Sequence, residues 1–324
     1  MKTRIIRGDE VRRLLTMEDC IEAMRAALRD VSAGDGAMLQ RCMLPLPQDN
    51  KFALMGGADR RERLCGAKVI VFPGAEAARR GTSQGIIPLF DSETGALAAI
   101  VDAEQITAVR TAAASAAATD LLARKSAASL AILGAGRIGS LHIDAIRRVR
   151  PIRTVYVWNR TFSRAQECCR RAAELGLRAV PCASAEEAVR EADIVCTVTQ
   201  AREPILLGRW LKPGAHINAV GACSPLAREL DSEAVLRSRI YADQREAALR
   251  DSGDLAIPLK EGSLDARKIC GEVGQVLLGE LPGRQSEEEI TLFESVGISL
   301  EDLCAAALVR RKAEASGLGL EVEF

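Results

Sequence analysis

Hydrophobic positions divide the 324-residue chain into two stretches with different rhythms. In the first, Met17, Cys20, Ile21, Met24, Ala27, Leu28 and Val31 recur at helical spacing, with Thr16 as N-cap and Asp19 in the first turn. Short strand-like runs follow, RCMLPLP, KFALMGG and GAKVIVFPG. GIIPLFDSETGALAAIVD then reads as two strands around an Asp-Ser-Glu-Thr-Gly loop, a hairpin. The first 115 residues are therefore mixed α and β, and an Ala-rich helix predicted from Glu104 to Arg124 leads out of them.

From residue 129 strand and helix patterns alternate, with strands expected at 129–133, 153–158, 193–198, 215–220 and 238–242. That alternation predicts an open parallel sheet with helices on its faces. A last helix, Leu300 to Ala315, follows Ser299 and carries Glu301 and Asp302 in its first turn. It reads as amphipathic, able to pack back on the N-terminal domain and make that domain discontinuous. No internal repeat or low-complexity linker interrupts the chain.

Composition narrows the chemistry. Hydrophobic residues make up 48%, enough for a globular core, and the length suits two domains. Lys+Arg and Asp+Glu both number 44, leaving no net field for a nucleic-acid backbone or an anionic membrane. No apolar run approaches the roughly 18 residues that would span a bilayer. The N-terminus, MKTRIIRGDEVRRLL, is charged throughout, so the expected location is cytoplasmic. Of ten cysteines, Cys168 and Cys169 are adjacent and the others scattered, with no C-x-x-C, which predicts mostly buried thiols in a reducing compartment and no metal site. Only His142 and His216 are present, which argues against histidine-based triads and multi-histidine metal sites, and both are expected to be structural.

SLAILGAGRIGSLH (129–142) carries Gly134, Gly136 and Gly139 as G-x-G-x-x-G. By itself this spacing is weak evidence. Here a strand precedes it, a helix follows, and a second strand, TVYVW, ends about 20 residues later. The loop, with Ala135, Arg137 and Ile138 between and beside the glycines, is predicted to cradle a dinucleotide pyrophosphate on a helix N-terminus. After the second strand, where NAD enzymes usually place an acid for the ribose 2′-hydroxyl, stand Asn159, Arg160 and Thr161, then Ser163 and Arg164. An arginine can pair with a 2′-phosphate, so the expected cofactor is NADPH, with NADH possible.

These segments, with ITAVRTAAASAAA (106–118), PGAHINAVGA (213–222), REL (228–230), REAALRDSGD (245–254) and FESVGISLED (293–302), resemble the ornithine cyclodeaminase/μ-crystallin family over nearly the whole chain. The closer resemblance is to its μ-crystallin, ketimine-reducing branch. It implies a Rossmann NAD(P) domain at 116–299 and a discontinuous α+β substrate and dimerisation domain at 1–115 plus 300–324, assembled as a homodimer. It implies Arg41 and Arg110 as carboxylate grips, Lys68 beside the reacting centre, and Arg110 shared with the cofactor side. Thr82, Ser83, Thr197, Val198, Thr199 and Ser295 match cofactor-lining positions. Where cyclodeaminases carry an aspartate, AVGACSP has Cys223, followed by Ser224. A thiol cannot stand in as a carboxylate base, which favours reduction over cyclodeamination.

An α-imino acid reductase must grip a carboxylate and protonate nitrogen as hydride arrives at carbon. Two arginines and a desolvated lysine suit that task, with no metal or histidine required. Lys68 and Arg110 are the expected catalytic pair; Arg41, Cys223 and Ser224 complete the expected substrate site. The expected function is thus an NADPH-dependent reductase of an α-imino acid or cyclic ketimine. A cyclodeaminase that recycles NAD, or a ligand-binding protein holding NADPH, are the alternatives.

Overall fold

The computed structural model describes residues 2–74 and 83–323. It divides into two compact units, residues 1–110 with 298–324, and residues 111–297. The family resemblance implies boundaries after 115 and after 299 instead.

In the first unit the chain forms β1 (Lys2–Ile6), helices Gly8–Leu14 and Met17–Ser32, β2 (Gly36–Met38), β3 (Cys42–Pro45), β4 (Lys51–Asp59), β5 (Leu64–Phe72), β6 (Gln84–Asp91) and β7 (Leu97–Asp102). Thr16 caps the second helix, its side chain accepting from the Asp19 N–H at 3.2 Å. β6 and β7 form the expected antiparallel hairpin. Its turn is held by Asp91 Oδ1, which accepts from the N–H groups of Glu93 and Thr94. β1, which no periodicity announced, pairs parallel to β7.

Helix Ala103–Leu122 follows, and Asp102 Oδ1 accepts from the Gln105 N–H at its start. The second unit then runs through β8 (Ser129–Leu133), β9 (Thr154–Trp158), β10 (Arg178–Pro181), β11 (Ile194–Thr197), β12 (His216–Ala219), β13 (Ser238–Ala242), β14 (Ile269–Glu272) and β15 (Ile290–Glu294). All eight are parallel, in the order β10-β9-β8-β11-β12-β15-β13-β14. β11, β12 and β15 are buried at every residue, as expected of strands covered on both faces. This is the doubly wound sheet that the alternation predicted.

Three strands of this sheet carry no signal in the sequence pattern. β10 and β14 are short strands at the two edges. β15 inserts between β12 and β13, an order that no chain-order argument reveals.

The chain returns to the first unit as helix Ser299–Ser316 and β16 (Leu320–Glu323), which pairs with β1. That helix packs on helix Met17–Ser32 and on β4, β5 and β6. It is not amphipathic in its first half: every residue from Ser299 to Ala307 is buried, the acids Glu301 and Asp302 included. Among the described residues no helix is long and apolar enough to cross a membrane, and no group of side chains is placed to hold a metal ion.

Candidate functional site

The first unit holds a buried knot of four charged side chains. Side chains alternate along β5, and Lys68 falls on the inward face with Ile70. It is 1% exposed, with Nζ 2.7 Å from Asp302 Oδ2 and donating to Thr107 Oγ1 at 3.4 Å. Arg110 donates through Nε to Asp302 Oδ1 at 2.9 Å and through an NH to Glu301 Oε2 at 2.7 Å. Glu301 and Asp302 are both fully buried. Burial pushes the Lys68 ammonium down to about 8, Arg110 and Arg41 push the same way, and Asp302 opposes them. Burial would raise the Asp302 carboxyl, but Arg110 and Lys68 outweigh it and hold the group below the usual carboxylate range.

Arg41, immediately before β3, is half-buried and its charge is felt at Lys68. Lys68, Arg110 and Arg41 set three cations against the two anions Glu301 and Asp302. The structure thus brings Lys68, Arg110 and Arg41 into electrostatic contact. It also changes Arg110's part, since much of its guanidinium is committed to Asp302 and Glu301. Those two acids had been read only as first-turn charges. The missed signal was their setting, SLEDLCAAAL, in which nearly every neighbour is apolar or small.

The second unit holds the glycine loop, at the C-terminal end of β8. Gly134 has φ +117°, and a Cβ there would fall 2.6 Å from the Val198 carbonyl oxygen. A Cβ on Gly139 would run into the Gly134 carbonyl, so this glycine lets helix Arg137–Ile146 close on the strand. Gly136 has open space where its side chain would be, leaving room for a phosphate. The three glycines therefore do the separate jobs a dinucleotide cradle needs. Ala135 N–H donates to Asn159 Oδ1 at 3.1 Å, and Asn159 Nδ2 donates to the Thr161 carbonyl at 3.0 Å. Asn159 thus braces the loop, while Arg137 and Ile138 open the helix.

Arg160, Thr161 and Arg164 are exposed beyond β9, with no carboxylate between 159 and 164. Thr197 ends β11, and Val198 and Thr199 follow it. Ser295, next after β15, is 3% exposed and its Oγ has no hydrogen-bond partner among the described residues. A buried hydroxyl so placed, at the carboxyl ends of parallel strands, suits a polar ligand group. Exposed Cys223 donates through Sγ to the Val220 carbonyl at 3.3 Å, and Ser224 Oγ accepts from the Leu226 N–H at 3.4 Å. Ser83 lies just before β6 in the first unit; Thr82 lies outside the described residues.

The histidines are structural. His142 is bonded to the Ile138 carbonyl and Ser115 Oγ, and burial lowers it to about 4. His216 bonds Thr291 Oγ1 and Asn218 Oδ1, and burial with nearby Arg284 lowers it to about 3. All ten cysteines are free thiols.

A glycine cradle on a doubly wound sheet, with a desolvated lysine and arginine in the accompanying α+β unit, defines a dinucleotide-dependent oxidoreductase. The model of the ornithine cyclodeaminase/mu-crystallin family matches residues 1–317. The chain is 37% identical over 325 residues to a Delta(1)-pyrroline-2-carboxylate reductase of Bacillus cereus, covering 99% of each. It is 39% identical over 294 residues to the ketimine reductase mu-crystallin of Mus musculus, covering 89% of this chain and 90% of that one. Its fold matches Thermococcus litoralis Delta(1)-pyrroline-2-carboxylate reductase, solved with NADH and L-proline. The TM-score is 0.95 at 32% identity, over 99% of this chain and all of that one. The protein belongs to the ornithine cyclodeaminase/mu-crystallin family.

Proposed function

We propose that the protein is a nicotinamide-dependent reductase of α-imino acids, cyclic ketimine carboxylates among them. The observation that carries this reading is the buried Lys68–Asp302–Arg110–Glu301 network, which holds a desolvated lysine, brought down to about 8, beside arginines of the kind that grip a carboxylate. The names and bound molecules of its relatives support it. A bound nicotinamide would supply the hydride to the C=N carbon. Lys68 holds at Nζ the proton that the nitrogen takes up, giving the amine. Arg41 and Arg110 hold the substrate carboxylate before and during that step. Cys223 offers no carboxylate base for hydrolytic loss of ammonia, which sets cyclodeaminase activity aside. The ten free thiols support a reducing, cytoplasmic compartment.

NADPH oxidation is expected with cyclic imino acids, or with 2-oxo acids in the presence of ammonia or methylamine. No ammonia release is expected from ornithine alone. Turnover of ornithine without imine reduction would reverse the assignment.

The preferred cofactor is NADPH, on the strength of Arg160. Arg160→Ala should weaken NADPH binding by about 1–3 kcal/mol, the range for hydrogen bonds to a charged group, and leave NADH nearly unchanged. Equal loss for both would show that Arg160 does not read the 2′-phosphate.

The protein forms a homodimer through its first unit. Met43 and Leu44 on β3, Leu46 just beyond it, Val71 on β5 and Ile86 on β6 are all exposed, more apolar surface than a lone sheet usually leaves open. Sedimentation at micromolar concentration should show a dimer, and Leu44→Glu should shift it toward monomer. A native monomer would exclude this assembly.

A further inference from the structure

Glu229 is fully buried in the second unit, and both oxygens of its carboxylate accept hydrogen bonds. Its Oε1 takes the Thr199 backbone N–H at 2.6 Å and Thr199 Oγ1 at 2.5 Å; its Oε2 takes the Gly221 N–H at 2.8 Å. Thr199 lies just beyond β11 and Gly221 just beyond β12. One carboxylate therefore ties together the loops that leave neighbouring parallel strands at their carboxyl ends. β8 and β11 flank the point where the strand order reverses, and open α/β sheets bind their ligands there.

The contacts continue into the cradle. A Cβ on Gly134 would fall 2.9 Å from the Thr199 methyl, and one on Gly221 would fall 2.5 Å from the Glu229 carboxyl carbon. Glycine turn, Thr199, Glu229 and Gly221 thus pack without a gap. The bracket is itself anchored. Asp254 Oδ1 accepts from the N–H groups of Glu229 and Leu230 at 2.7 and 2.8 Å. The Glu229 carbonyl accepts from the N–H groups of Ile205 and Leu206. Burying a carboxylate is costly unless donors compensate it, and the donors on Thr199 and Gly221 do so only while both loops hold their present places.

We propose that Glu229 is a positioning residue that sets the loops after β11 and β12 for the nicotinamide end of the cofactor. This rests on the proposed function only in taking the cradle to hold a nicotinamide dinucleotide.

Glu229→Gln tests it. An amide has one acceptor oxygen and one donor nitrogen, so either orientation sets an N–H against Thr199 or against Gly221, and one loop must move. The measurement compares NADH with ADP-ribose, and NADPH with 2′-phospho-ADP-ribose, each pair differing by the nicotinamide. The variant should bind the intact cofactors about tenfold more weakly and the truncated ones within about twofold of the native protein. Equal losses for intact and truncated ligands would mean general destabilisation and overturn the proposal, as would no loss at all. If Glu229→Gln does not fold, Thr199→Val keeps the methyl against Gly134, removes only the hydroxyl, and should show the same split at smaller size. Failure of the native protein to bind any of the four ligands would overturn both the cradle and this role. Native binding without imine reduction would count against the substrate reading alone, and the ligand split would still decide for or against Glu229.

Discussion

Lys68→Met is expected to lower kcat for imine reduction about 10²–10⁴-fold, the usual contribution of a general acid. The NADPH dissociation constant should stay nearly unchanged. A proton donor acts mainly in the transition state, so its loss falls on kcat more than on KM. Lys68 is suited to the task because burial brings it to about 8, where it carries its proton at neutral pH yet can release it. Activity should accordingly fall as pH rises through that value. Arginine at the same place keeps the charge but does not give up its proton, so Lys68→Arg should stay nearly as slow as Lys68→Met. Recovery of most activity by Lys68→Arg would make the lysine a carboxylate anchor only, with the proton coming from water or from an already protonated iminium. Arg110→Met has a less simple expectation than its sequence reading suggested. It would take one buried cation from Asp302 and the Arg110 guanidinium from Glu301, so lost stability should accompany any rise in KM.

The glycine cradle was legible because its cause is local. Gly134 needs its turn, Gly136 its open side and Gly139 its close approach, and each demand is met by glycine at a fixed spacing. The hairpin around Asp91 was legible for the same reason. The parallel sheet could be inferred from alternation, but the place of β15 could not, since insertion between β12 and β13 is a property of the crossovers. Glu301 and Asp302 looked like ordinary acids favouring a helix N-terminus. Their partners, Lys68 and Arg110, are more than 190 residues away in the chain, and no periodicity links them. The role of Glu229 was hidden although REL carried part of the resemblance, because it accepts from backbone N–H groups of Thr199 and Gly221 that have no sequence signature.

Asp302→Asn should move the alkaline limb of kcat/KM to lower pH and destabilise the fold by up to about 3–5 kcal/mol, the range for breaking a buried ion pair. Asparagine keeps the shape, removes the charge and sets its amide donor against either Arg110 Nε or Lys68 Nζ. Arg110 cannot discharge in response, but it retains Glu301 at 2.7 Å. Lys68 can discharge, and it loses the carboxylate that holds its proton on, while burial, Arg110 and Arg41 continue to push it off. Its pKa therefore falls below about 8, and less of the acid form remains at neutral pH. The stability loss carries a matching signature. A lysine whose pKa is lower folded than unfolded binds fewer protons when folded, so stability rises with pH between those two values. That window reaches further down in the variant, so its deficit against the native protein should shrink as pH rises toward 8. Urea unfolding at two pH values in that window, beside a kcat/KM profile, measures both effects. An unmoved alkaline limb would mean that Lys68 is not the group whose proton the reaction uses. A deficit that does not narrow with pH would mean that Asp302 supports the fold without tuning Lys68.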